Sequence, residues 1–111
     1  MPFIVIDALP APEGVDPATV LRRVNEAVGE LLDREPDVAW SLWREVPPGR
    51  YLVGTEAVSR QPASSHPPLV TILVARPPEV AERIPDIVGG VVDRELRLKP
   101  GSSFVHVQRL G

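Results

Sequence analysis

A strand–helix–strand pattern occurs twice in this chain, and this repetition constrains the fold more than any other feature of the sequence. The first unit has an apolar run at 3–9, a helical apolar stripe at 17–34 and an alternating segment at 38–46. The second has a β-branched run at 69–75, a helical stripe from about 78 to 96 and an apolar segment at 103–110. Parallel strands need a crossover of at least a dozen residues, which each helix provides. We therefore predict one domain, 1–111, made of two βαβ units at about 2–60 and 68–111.

A short internal similarity supports the duplication. The octapeptide VGELLDRE begins at Val28 in the first helix, and VGGVVDRE begins at Val88 in the second. Pro2-Phe3-Ile4 is likewise echoed by Pro68-Leu69-Val70. The predicted fold class is α/β, or more strictly α+β: a four-stranded mixed sheet with both helices on one face. Because the central strands are apolar on both sides, we predict that another copy of the chain covers the opposite face.

Turn residues set the expected boundaries of these elements. Asp16 is a candidate helix N-cap followed by Pro17 at the first helical position, and Pro36 ends the first helix near residue 34. In the second helix we expect a kink at Pro85. The segment 47–68 is expected to be a loop that holds a short strand near 51–53.

Composition excludes several classes of protein and site. The absence of cysteine excludes disulfides and zinc–thiolate centres, and the two histidines are far apart in sequence. A net charge of −3 with 5% aromatic residues is unlike a nucleic-acid-binding protein. No run reaches the roughly 18 apolar residues of a membrane span, and no cationic leader precedes the first strand. We expect a soluble cytoplasmic protein with no nucleic-acid or membrane partner and no metal.

Three stretches of the chain stand out: the proline behind the initiator methionine, the segment REVPPGRYLVG and the segment TILVARPPE. Together with the two βαβ units and the chain length, they resemble the tautomerase superfamily. This family includes 4-oxalocrotonate tautomerase (4-OT), macrophage migration inhibitory factor, malonate semialdehyde decarboxylase and cis-3-chloroacrylic acid dehalogenase. The resemblance covers nearly the whole chain and implies the fold of macrophage migration inhibitory factor, a homotrimer and a cofactor-independent isomerase acting on a small carboxylate.

The resemblance also implies which residues form the site. Pro2 would become the first residue after removal of Met1 and act as the catalyst, and Arg76 would bind the substrate carboxylate. Tyr51 and Trp40 would line the pocket, and Asp37 matches an aspartate that positions water in the decarboxylase group. Trp40 stands where the 4-OT group has a second arginine, so this chain departs from the pattern there. The specialised machinery of the dehalogenase is also missing, which argues against dehalogenation.

The chemistry expected of Pro2 follows from its free amine. An α-amine titrates near about 8, and a secondary amine higher, so in water it is mostly protonated. Burial and a nearby arginine disfavour the ammonium form and lower the pKa. A neutral prolyl nitrogen can then take a proton from a carbon next to a carbonyl, whereas a protonated one would act as an acid.

Two other hypotheses remain open at this stage. The chain could share the fold but act as a catalytically weak or inactive oligomer with a binding or structural role. Alternatively, β-α-β-β-α-β also describes a ferredoxin-like domain in which Pro2 only begins a strand. Each candidate residue also has an ordinary interpretation: a strand-end arginine for Arg76, packing for Trp40 and Tyr51, and a turn aspartate for Asp37.

Overall fold

The computed structural model describes residues 2–75 and 82–110. Within these residues, the structure assigns in order two helices, a one-turn 3₁₀ helix and six strands. They are β1 (Pro2–Ala8), α1 (Pro17–Leu31), the 3₁₀ helix (Pro36–Val38), β2 (Trp40–Glu45), β3 (Leu52–Val53), β4 (Glu56–Ala57), β5 (Leu69–Val74), α2 (Ile84–Glu95) and β6 (Phe104–Arg109).

Four of the strands form one mixed sheet in the order β2-β1-β5-β6. The pairs β1–β2 and β5–β6 are parallel, and the central pair β1–β5 is antiparallel. This confirms the predicted four-stranded mixed sheet. It also excludes the ferredoxin-like alternative, because a split βαβ unit would place another strand between β1 and β2.

Strand alternation separates a buried face of the sheet from an open one. Ile4, Ile6 and Ile72 face the helices and are fully buried. They pack in one core with apolar residues of α1 and α2, including Val24 and Val88. Burial of alternate residues along β1 and β5 is the pattern expected when helices cover only one side. Both helices therefore lie on the same face, as predicted.

The first helix begins where the sequence predicts and ends slightly earlier. The side chain of Asp16 accepts a hydrogen bond from the Ala18 amide at 3.1 Å, and Pro17 occupies the first turn. The helix ends at Leu31 because Asp33 adopts a left-handed conformation with φ 53°. The amide of Arg34 then donates to the Gly29 carbonyl at 2.8 Å, which closes the helix end.

The expected kink at Pro85 is wrong. Helix α2 begins at Ile84, so Pro85 lies in its first turn, where an amide hydrogen would have no partner within the helix. The predicted start at residue 78 lies outside the described residues.

The octapeptides do not occupy equivalent places in the two helices. The last three residues of the first octapeptide, 33–35, lie beyond α1, whereas the last three of the second, 93–95, form the end of α2. Both helices nevertheless end with the same hydrogen bond, from Arg34 to Gly29 in α1 and from Leu98 to Asp93 in α2. Structurally matching residues at these helix ends are thus 64 apart (98 − 34), not 60 as in the octapeptides.

Candidate active site

Pro2 occupies the first position of β1 and is buried. Its strand lies inside the sheet, paired with β2 on one side and β5 on the other, and Pro2 itself is opposite Val74. Proline is compatible with this place because the first residue of a strand need not donate to the ladder. The sheet therefore holds Pro2 at one of its ends, opposite the buried apolar residue Val74.

Trp40 lies at the same end of the sheet. It is opposite Phe3 in the register of β1 and β2, and the two rings make an edge-to-face contact at 6.1 Å and 80°. Since side chains alternate along a strand, these rings lie on the open face, whereas Pro2 is directed to the helix side. Trp40 is 54% exposed, so an apolar surface at the Pro2 end of the sheet is open to solvent in the single chain.

Asp37 also belongs to this end. It lies in the 3₁₀ helix that leads into β2, three residues before Trp40, and it is exposed. A turn aspartate after Pro36 accounts for its local structure, and its carboxylate remains open to solvent.

Tyr51 is at the opposite end of the sheet. Its hydroxyl donates to the carbonyl of Pro67 at 2.7 Å, and its ring lies 5.2 Å from that of His66. Pro67 precedes β5, whose first residue pairs with Asp7 near the end of β1. Because β1 extends by about 3.3 Å per residue, Pro2 and Tyr51 of one chain are separated by roughly 20 Å. Partial burial raises the pKa of Tyr51 above its usual value.

Arg76 lies outside the described residues. In sequence it follows Val74, the residue opposite Pro2, by two positions. Of the five candidates, the structure thus brings Pro2, Trp40 and Asp37 to one end of the sheet within a single chain, and it separates them from Tyr51.

One residue at the Pro2 end was missed by sequence reasoning. Arg109 is the last residue of β6 and is opposite Val74, so Pro2, Val74 and Arg109 form one row across three strands. The predicted segments 69–75 and 103–110 contain both residues, but the row depends on the strand order and register. The sequence would have revealed this row only if the pairing and register of β6 with β5 had been known.

A large cleft of the molecule lies away from these residues. It has a volume of about 700 Å³ and follows α2 and the segment leading into β6. Its lining includes Gly89, Gly90 and Val105 but none of the described candidates Pro2, Asp37, Trp40 and Tyr51. The carboxylate of Asp93, on the wall of this cleft, already accepts hydrogen bonds from Gly101 and Ser103.

Within residues 2–75 and 82–110, no three histidine, cysteine, aspartate or glutamate side chains are grouped closely enough to hold a metal ion. None of the helices in the same residues has the length and apolar character needed to cross a membrane.

Comparison with solved structures identifies the architecture. An asymmetric trimer of the wild-type fused 4-OT F6 matches 97% of this chain and 85% of its own, with a TM-score of 0.75 and 13% identity. Pt0534 inactivated by 2-oxo-3-pentynoate matches 97% of this chain and 85% of its own, with a TM-score of 0.67 and 16% identity. A macrophage migration inhibitory factor-like protein from Entamoeba histolytica matches 98% of this chain and 88% of its own, with a TM-score of 0.66 and 11% identity.

This chain has the tautomerase fold. The resemblance seen in the sequence is thereby confirmed for the fold. Structural similarity at 10–16% sequence identity shows a shared fold and no more. No protein-family model matches the chain, and no curated protein matches it. The tautomerase fold places the start of β1 and the ends of β5 and β6 together, which is where Pro2 and Arg109 lie.

Proposed function

We propose that this chain is a cofactor-independent keto–enol tautomerase that acts on a small 2-oxo acid or its enol. The observation that carries the proposal is the burial of Pro2 at the head of a central strand in a tautomerase fold. Removal of Met1 would convert the Pro2 nitrogen from an amide into a secondary amine. Apolar burial then favours its neutral form, which is the form that can act as a base.

The proposed reaction moves one proton and consumes nothing. The neutral Pro2 nitrogen takes a proton from the carbon next to the keto group, and the electron pair of that bond becomes the enol double bond while negative charge grows on the oxygen. The protonated nitrogen or water then supplies a proton to complete the enol, and the reverse sequence regenerates the ketone. Arg76 is proposed to bind the substrate carboxylate and to stabilise the oxyanion.

Among the described candidates, Tyr51 can join Pro2 only from another copy of the chain. The separation of about 20 Å between Tyr51 and Pro2 favours a site in which the Tyr51 of one subunit approaches the Pro2 of another. Trp40 and Asp37 would contribute from the Pro2 end. Wild-type fused 4-OT structures of the same fold are trimers, which supports a homotrimer here. Pt0534, also of this fold, is inactivated by a 2-oxo acid.

The test begins with intact-mass spectrometry to establish that Met1 has been removed. Turnover of phenylenolpyruvate is then compared between the wild type, Pro2→Ala and the control Pro48→Ala, which changes an exposed loop proline. General-base catalysis is worth about 10²–10⁴-fold, so we expect Pro2→Ala to lose about two orders of magnitude and Pro48→Ala to be unchanged. Equal rates for the wild type and Pro2→Ala would refute the base. An inactive wild type without Met1 would favour the binding-protein hypothesis.

A further inference from the structure

The row formed by Pro2, Val74 and Arg109 places an arginine beside the proposed catalyst. Pro2 is opposite Val74, and Val74 is opposite Arg109. Neighbouring strands lie about 4.8 Å apart, so the Cα atoms of Pro2 and Arg109 are separated by about 10 Å. Residues paired across strands project from the same face of a sheet. An extended arginine side chain can cover most of that distance, and Val74 lies between the two residues in the row.

The backbone holds Arg109 in this position. It lies inside the β5–β6 ladder, and the amide of the next residue, Leu110, donates to the Val74 carbonyl at 3.0 Å. Val74 itself is 4% exposed and forms part of the core. Arg109 therefore belongs to the ordered sheet, and only its side chain extends toward solvent.

The guanidinium of Arg109 is not neutralised by the part of the chain described here. Among those residues, no carboxylate lies within salt-bridge distance of it. Arg44, at the opposite end of the sheet, contrasts with it because both oxygens of Asp7 accept hydrogen bonds from Arg44, at 2.7 and 2.9 Å. Arg109 thus presents an exposed planar donor group, which suits a carboxylate ligand.

We propose that Arg109 binds the carboxylate of the substrate beside Pro2. This inference rests on the proposed function and adds a specificity-determining residue to it. The sequence resemblance implies an arginine in the 4-OT group where this chain has Trp40, and Arg109 supplies a cation at the same end of the sheet from a different strand. Its charge also disfavours the ammonium form of the nearby Pro2 nitrogen.

The experiment pairs a change in the enzyme with a change in the substrate. Turnover of phenylenolpyruvate and of its uncharged methyl ester is measured for the wild type, Arg109→Gln, Arg109→Lys and the control Arg22→Gln, an exposed arginine on α1. A bidentate charged contact predicts that Arg109→Gln lowers kcat/KM for the acid about ten- to one-hundredfold. We expect less than a twofold change for the ester, partial recovery in Arg109→Lys and no change in Arg22→Gln. Thermal unfolding of each variant shows whether the fold is retained.

Equal losses on acid and ester, or no loss on either, would overturn the inference. The same holds if Arg83→Gln, which removes another exposed arginine at this end, shows the acid-specific loss and Arg109→Gln does not. These outcomes are distinct from failure of the proposed function, which is decided by Pro2→Ala.

Calorimetric binding of the unreactive acid 3-phenylpropionate gives a readout without turnover. We expect at least tenfold weaker binding by Arg109→Gln than by the wild type, and unchanged binding would contradict the proposed role of Arg109.

Discussion

His66 holds together the loops at the end of the molecule opposite Pro2. It is fully buried and has a φ of 50°, in the left-handed region that few non-glycine residues adopt. Its Nε2 lies 3.0 Å from the Glu56 carbonyl, which can only accept, so Nε2 carries a proton, and Nδ1 lies 2.9 Å from the Ser65 hydroxyl. This bonding ties the β3–β4 hairpin to the segment before β5 and provides the surface on which Tyr51 packs.

Tyr51 allows this arrangement to be tested directly, because it is the only tyrosine in the chain. Burial raises its pKa, so the folded state favours the neutral phenol. The stability contributed by this preference is complete below the unfolded pKa of about 10 and is lost as the pH rises through the higher folded pKa. We expect the ultraviolet titration of tyrosinate to have a midpoint above that of the urea-unfolded protein. Coincident midpoints would contradict the packing, and Tyr51→Phe supplies the signal-free baseline.

At the scale of secondary-structure elements, Asp93 fastens α2 to the segment that enters β6. Asp93 is 6% exposed, and its carboxylate accepts hydrogen bonds from the Gly101 amide at 2.8 Å, the Ser103 amide at 2.9 Å and the Ser103 hydroxyl at 2.5 Å. Helix α2 also approaches β6 closely, since a Cβ atom on Gly89 would lie 3.1 Å from Val105. Together these contacts position β6, and therefore Arg109, against the rest of the sheet.

We predict that Asp93→Asn destabilises the fold by about 2–3 kcal/mol, because hydrogen bonds to a charged acceptor are lost and an amide group faces backbone donors. Urea unfolding measures the difference, with the exposed Glu30→Gln on α1 as a control of equal charge change. A loss below about 0.5 kcal/mol, the scale of ordinary surface substitutions, would show that these bonds contribute little.

The elements were predictable from the sequence to different degrees. Hydrophobic periodicity located both helices and all four strands of the main sheet, and Asp16 with Pro17 marked the start of α1. Proline alone was ambiguous: Pro85 can kink a helix or begin one, and the choice depends on contacts outside the local sequence. The position of Arg109 in one row with Pro2 could not be predicted, because the register of the strands is set by packing across the sheet, which no local sequence pattern records.

At the scale of the whole molecule, the face of the sheet opposite the helices is uncovered. Phe104 is 64% exposed, Trp40 54% and Leu69 44%, and Phe3, Val5 and Leu73 of the same face are partly buried. The sequence predicted this bare face from the apolar character of both sides of the central strands. It could not indicate how the candidate residues would be divided between subunits. That division follows from the positions of Pro2 and Tyr51 at opposite ends of the sheet, which only the structure shows.

We predict that the wild type has three times the 12.1 kDa mass of the chain in light scattering, because a homotrimer would cover this face. Val5→Lys places a charge at the centre of the open face, and we expect it to reduce the mass to that of one chain while the folded far-ultraviolet spectrum persists. Ala18→Lys, on the exposed side of α1, should leave the trimer intact. A monomeric wild type, or a trimeric Val5→Lys, would contradict this assembly.

The central claim is that the Pro2 nitrogen is a free amine kept neutral by its surroundings. It is tested most directly by titrating that nitrogen by ¹⁵N NMR in the protein whose loss of Met1 has been established by mass. The account predicts a midpoint near neutrality, below that of a solvent-exposed prolyl amine. A midpoint equal to that of a free prolyl peptide, or a nitrogen that remains an amide and does not titrate, would contradict it.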